Sequence, residues 1–211
     1  MPDPFNPRCR ACPRLTEFLD HVRMKHSDYH CGPVPSFGDD NPRLLIVGLA
    51  PGMHGANRTG RPFTGDFAGI LLYQTLFNLG LSNQPTSASA GDPLRLNGVR
   101  ITNAVKCLPP QNKPDTLEIK TCNIFLQTEI AALPQPCNLL ALGKIAHDAV
   151  LRAYELKLTA LKFTHAADHP LPDGRTLFDS YHCSRYNTQT KRLNQKMFTN
   201  VLRRAAQSNP R

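Results

Sequence analysis

The chain has 211 residues, with 25 Lys and Arg against 16 Asp and Glu and a net charge of +9; this length fits one domain with a sizeable core. The basic balance suits a polyanionic partner, nucleic acid above all, and equally a generally basic surface. No apolar run reaches the roughly 18 residues of a membrane span, and the start MPDPFNPRCRAC lacks the apolar core of a secretion signal, so a reducing cytoplasm is expected, where seven cysteines point to metal or chemistry rather than disulfides.

In chain order, residues 14–25 read as a helix, with Leu15, Phe18, Leu19 and Val22 at helical spacing. Residues 43–49 (RLLIVGL) form a continuous apolar run that ends in Gly-rich sequence, the pattern of a buried parallel strand. A helix is expected over 67–79, a polar loop over 82–93 and a second strand over 99–105. A long helix follows over 115–133, with Asp115 or Thr116 as N-cap. Residues 137–142 (CNLLAL) read as a third strand with Cys137 in the core, 144–156 as a helix, 176–181 as a fourth strand and 191–206 as a basic helix. Strands alternating with helices predict an α/β fold on a mostly parallel, four-stranded sheet. Ligands in such sheets bind beyond the carboxyl ends of the strands. The segments there are 50–66, 103–112, Gly143 and 182–190, and most of them are rich in His, Asn, Gly, Arg and Thr.

The first segment, GLAPGMHGANRTGRPFTGD, holds five Gly and two Pro in nineteen residues. Glycines let a backbone approach a ligand closely, yet neither phosphate-binding glycine motif is present. Asp66 directly precedes a helix, the position of an N-cap, and Phe63 offers either loop packing or a flat face for a base. In ITNAVKCLPPQNKP, Asn103 ends a strand; its carboxamide can donate and accept at once to read a base edge, or cap backbone groups there, and Lys106 and Lys113 are candidate phosphate contacts or solvated surface lysines. In SYHCSRYNTQTKR, His182 leaves the fourth strand and could polarise a leaving group; His54, His165 and His169 carry weaker claims. Cys9 and Cys12 form a tight pair, and Cys107 and Cys122 a second. By ligand type, four thiolates suit zinc as well as an iron–sulfur cluster. Cys31 and Cys183 stay without a role.

With these loops and cysteines together, the chain resembles the uracil-DNA glycosylase superfamily, in particular its iron–sulfur type B branch, also called family 5. The resemblance rests on GLAPGMHGANRTGRPFTGD, on TNAVKC with the later Cys122, on HCSRYNTQT and on CRAC, and it runs over about 9–202. The type A branch carries an acidic residue where this chain has Leu49; here the acid is Asp66 in FTGD. The last motif departs from the family's His-Pro-Ser, reading His182-Cys183-Ser184.

The resemblance implies a single three-layer α/β/α domain over 1–211, with an N-terminal helix anchored by a [4Fe–4S] cluster on Cys9, Cys12, Cys107 and Cys122. It implies a monofunctional hydrolase that excises uracil, and other deaminated bases such as hypoxanthine, from DNA. Asp66 and His182 would be catalytic. Gly48, Ala50, Phe63, Asn103, Ser184 and Asn187 would bind the base; Arg58, Lys106, Arg185, Tyr186 and Lys191 would contact DNA, with Arg185 or Tyr186 as the wedge. Some of Lys191, Arg192, Lys196, Arg203 and Arg204 are expected to supply backbone contacts. A monomer acting at the nucleoid is expected. The competing readings are a metal-stapled nucleic-acid-binding module without catalysis and a small electron-transfer protein.

Overall fold

Leu44, Leu45, Ile46 and Val47 are all wholly buried, so the first long strand has apolar neighbours on both faces. That is the signature of a sheet covered by helices on each side. In the computed structural model, which describes residues 5–207, this strand is β2 (Leu44–Gly48). It lies between β3 (Val99–Asn103) and β4 (Asn138–Leu142), and β6 (Thr176–Ser180) follows β4. All three of these pairings are parallel. Two short antiparallel strands close the edges, β1 (Phe37–Gly38) beside β3 and β5 (Asp168–Pro170) beside β6. The full order is β1-β3-β2-β4-β6-β5. The expected four-stranded sheet is therefore its parallel centre, and the whole has six strands. Two- and three-residue edge strands carry no periodicity of their own and exist through pairing alone.

Alternation along each strand builds two cores. Leu44, Ile46, Leu140 and Phe178 face α3 (Phe67–Asn78) and α7 (Gln195–Gln207), meeting Leu72, Leu76, Phe198 and Leu202. Leu45, Val47, Leu139 and Ala141 face α4 (Thr116–Ala132) and α5 (Lys144–Ala153), meeting Leu126, Ile130, Ala146 and Val150. These are the three expected layers.

Several ends move. Strand β3 stops at Asn103, not residue 105. Helix α5 stops at Ala153, because Glu155 turns into the left-handed region at φ 57. The C-terminal helix begins at Gln195, not 191: Lys191 sits at φ 58, and the preceding residues form a separate short helix, α6 (Arg185–Gln189). Helix α4 begins as expected, with Asp115 as N-cap and Glu118 completing a capping box. Arg14, on α1 (Pro13–Lys25), grips Glu118 at 2.6 Å and Lys113 O at 3.1 Å, tying the N-terminal helix to the loop after β3. Cys137 is buried in the core. The outermost parts of the expected 1–211 domain, 1–4 and 208–211, lie outside the described residues. No described helix is long and apolar enough to cross a membrane.

Candidate active site

Pairing of Gly48 with Asn103 brings the ends of β2 and β3 side by side. Beyond them, and beyond β6, lies a cavity of about 410 Å³ lined by Ala50, Phe63, Asp66, Asn103, His182, Ser184 and Arg185. Phe63, in the glycine loop just after the short helix α2 (Ala56–Thr59), adopts φ 53, which turns the chain sharply. Its ring lies 5.9 Å from that of His182, with 26° between the planes. Gly48 does not line the cavity; it lies against it. A Cβ there would press on Asn103 Oδ1 and fall 2.6 Å from Phe63 Cζ, so only a residue without a side chain lets both groups close in.

Asp66 is the N-cap of α3, and one carboxylate oxygen accepts from Gly69 N–H at 2.9 Å. The N-cap reading holds, and the same carboxylate lines the cavity. The second oxygen lies against the glycine loop, where a Cβ on Gly55 would approach it at 2.5 Å. Burial raises the Asp66 carboxyl above its ordinary value, and the N–H groups of Gly69 and Ala68 oppose that rise. His182 is pushed down to about 4 by burial, so near pH 7 it is a neutral imidazole. Its ring makes no hydrogen bond among the described residues, and neither does the carboxamide of Asn103, which is 3% exposed. Three polar groups therefore converge on one cavity: a desolvated carboxylate, a neutral imidazole and an unpaired amide.

The remaining expected residues divide. Ser184 lines the cavity and caps α6, accepting from Asn187 N–H at 3.4 Å. Asn187 is not among the lining groups; its amide donates to His182 O at 2.8 Å and so braces the histidine rather than the base. Cys183, in the place of the family's Pro, is wholly buried in the core on the α3 side, and burial raises its thiol. Arg185 reaches the cavity with its guanidinium 5.5 Å over Phe67, and Tyr186 is 70% exposed beside it. Arg58 and Lys191 are exposed.

Lys106 is not a DNA contact. It is buried, bonded to Thr102 Oγ1 and 3.3 Å from Glu129 Oε2. Arg204, about half exposed, pairs with Asp168 at 2.6 Å. The amide of Asn138, at the start of β4, reaches Ala205 O, so the last turn of α7 lies at the sheet edge away from the cavity and does not carry Arg203 or Arg204 to the site. Asn112 is the polar lining residue that the sequence reading missed; Gly52, Ala56, Phe67 and Ala68 join the apolar wall. Gln111 and Asn112 both adopt φ 55, and the Pro-Pro-Gln-Asn-Lys-Pro string was the available sign of a constrained turn.

A second cavity, of about 100 Å³, is lined by Cys9, Cys12, Cys107 and Cys122 together with Leu15, Val105 and Phe125. Cys12 caps α1, and Lys106 N–H donates to Cys122 Sγ at 3.3 Å. Burial and the neighbouring thiols push Cys12 up to about 11 and Cys107 up to about 12, and burial raises Cys122. Such mutual destabilisation of thiolates is what a bound cation relieves.

The description "Uracil DNA glycosylase superfamily" matches residues 35–206. A type-5 uracil-DNA glycosylase of Thermus thermophilus is 48% identical over 93% of this chain and 92% of its own length. One from Pyrobaculum aerophilum is 42% identical over 94% of this chain and 88% of its own length. A type-4 uracil-DNA glycosylase of Archaeoglobus fulgidus is 31% identical, over 61% of this chain and 57% of its own length. On its sheet, its cavity and these relatives, the chain belongs to the uracil-DNA glycosylase superfamily and groups with the type-5 members.

Proposed function

We propose that this chain, acting as a monomer at the nucleoid, flips uracil out of DNA and hydrolyses its N-glycosidic bond, leaving an abasic site. It also accepts other deaminated bases such as hypoxanthine. The observation that carries this reading is the meeting of Asn103, His182 and Asp66 in one cavity beyond the strand ends. When the bond breaks, its electron pair leaves with the base, and positive charge builds on the sugar. The Asp66 carboxylate stabilises that oxocarbenium-like sugar and orients the water that adds to it. The neutral His182 N–H and the Asn103 amide receive the negative charge on the base. The Phe63 ring offers a face for the flipped base. Arg185 holds phosphate at the rim, joined by Arg58 and Lys191, and Tyr186 fills the gap left in the duplex.

The four thiols fit a [4Fe–4S] cluster of the type B branch better than one zinc ion. Thiolates on a single zinc with bonds near 2.3 Å stand about 3.8 Å apart. Among the described residues, the His/Cys/Asp/Glu group whose donor atoms all fall within 4.8 Å of one another is His147, His169 and Asp179, not the cysteines. That the cysteine donors do not close to such a separation supports a group larger than one ion. Such a cluster supplies a structural staple, and the chemistry stays with Asp66, His182 and Asn103.

Single-turnover incubation with a duplex holding one uracil, followed by alkali, tests the reading. Strand breaks at uracil are expected, with a loss of about 100-fold or more in Asp66→Asn. Binding without breaks points instead to a nucleic-acid-binding module. Near-normal turnover in a folded Asp66→Asn removes Asp66 from the reaction.

A further inference from the structure

Outside the cavity, the far edge of the sheet carries a second cluster of titratable groups. Asp179, in β6, is wholly buried. His147 Nδ1 lies 2.8 Å from its Oδ1, His169 Nε2 lies 3.0 Å from its Oδ2, and Thr164 N–H donates to Oδ2 at 3.2 Å. His147, on α5, is wholly buried too, and its other ring nitrogen, Nε2, faces Leu161 O at 3.0 Å. Both ring nitrogens of His147 therefore face acceptors. A neutral imidazole has one N–H and one lone pair, so it would set a lone pair against one of these oxygens. Turning the ring over sets carbons against both. With Asp179 ionised, as its further contacts from His169 and the Thr164 N–H favour, only the doubly protonated ring satisfies the two sides.

A metal ion fits this trio less well. Donors on a tetrahedral ion with bonds of 2.0–2.1 Å stand about 3.3 Å apart, whereas these contacts are 2.8 and 3.0 Å, the lengths of direct hydrogen bonds.

The groups around His147 favour charge. Strand β6 brings Asp179, β5 brings His169, and α5 itself brings Asp148, which is paired with Lys144 at 2.6 Å. The packed helix α4 brings the neutral amide of Asn123 to Ala149 O. Residues 157–166 bring Leu161 O and the ring of Phe163. Burial lowers the imidazole pKa, but Asp179, Leu161 O and Asp148 outweigh it and set the value above the ordinary one.

This cluster is joined to the active site. Ala166 N–H donates to Asp179 O at 2.9 Å, and Asp179 N–H donates to Ala167 O at 3.0 Å. His165 Nδ1 accepts from Tyr181 N–H at 3.2 Å, and its ring stacks on Tyr181 at 4.9 Å. The residue after Tyr181 is His182. We propose that His147 is a buried imidazolium whose ion pair with Asp179 clamps residues 161–167 against the end of β6, making it a positioning residue for His182. The positioning half rests on the role given to His182 above; the charge on His147 does not. Because the folded pKa of His147 is raised, the clamp is complete below the ordinary histidine pKa of about 6.5 and is lost as pH rises through the raised value.

Two measurements on the full chain test this. In the ¹⁵N-histidine-labelled protein, NMR is expected to show both His147 nitrogens protonated at pH 7. A single-proton signature there, or stoichiometric zinc at the trio, overturns the proposal. Across pH 6–10, single-turnover excision is expected to fall as His147 titrates, toward the roughly 100-fold that a displacement of about 1 Å costs. His147→Gln, which keeps a donor but no charge, is expected to be slow throughout and to lack that limb. An excision rate in the unmutated protein that ignores the His147 titration refutes the positioning role. A doubly protonated His147 in a protein that excises no base supports the ion pair and overturns the assigned reaction instead.

Discussion

Asn103 and Lys106 stand three residues apart and meet opposite fates. The carboxamide of Asn103 opens to the cavity with no partner among the described residues, while the ammonium of Lys106 turns inward to Glu129. An amide with no intramolecular bond can be removed at little cost to folding. Asn103→Ala is therefore expected to keep its unfolding free energy within about 1 kcal/mol. Its excision of uracil should drop by on the order of 100-fold, since a site built to hydrogen-bond a base loses that recognition. Calorimetry with single-turnover kinetics checks both; undiminished excision would sink the base-reading role. Sequence pattern exposed Asp66, Phe63 and His182 because each sits in a loop whose composition has no simple folding rationale. It could not place Lys106, since its counter-ion lies on another element and the direction of its side chain depends on where β3 ends. Nor could it show that Asn187 would face the backbone of His182.

At the scale of elements, strand ends and helix starts do the positioning. The first turn of α3 holds one oxygen of Asp66, and α6 begins on Ser184 to brace His182 through Asn187. On the other side, α4 supplies Glu129 to Arg100 at 3.0 Å and to Lys106; these cations and the hydroxyls of Ser36 and Thr102 hold the Glu129 carboxyl below its ordinary value despite burial. Two substitutions separate the structural cation from the one proposed to face DNA. Lys106→Met is expected to cost about 3 kcal/mol, because it leaves a buried carboxylate less well paired; its salt dependence of DNA binding should not change. Arg185→Ala is expected to leave stability within about 0.5 kcal/mol and to reduce the slope of log affinity against log salt by about 1. Chemical denaturation and binding titrations read the two effects; a reduced salt slope in Lys106→Met would return that residue to the DNA surface. The long helices and central strands were legible from apolar spacing. The short elements β1, β5 and α6 were not, since local preference is too weak over two to five residues to define them.

For the whole molecule, the thiol cavity joins α1, the loop after β3 and α4 into one unit behind the active site. Cys107 lies in the loop that leaves β3 directly after Asn103, so whatever the thiols hold also steadies the residue that opens to the cavity. Purified protein is expected to show a broad visible absorption band with iron and sulfide. Cys122→Ser should lose that band and melt at lower temperature, a deficit of about 3 kcal/mol corresponding to roughly 6–12 °C at this chain length. A colourless protein holding one zinc overturns the cluster. The sequence by itself determined the α/β class, the parallel centre of the sheet, the loops that carry the chemistry and the four thiols, because periodicity, glycine content and donor type are local properties. Tertiary structure alone decided which cations face outward, which asparagine opens to the cavity, that the four thiols line one cavity and that His147 and Asp179 meet in the interior. Those outcomes depend on distances between residues far apart in the chain and on the burial that sets their charge.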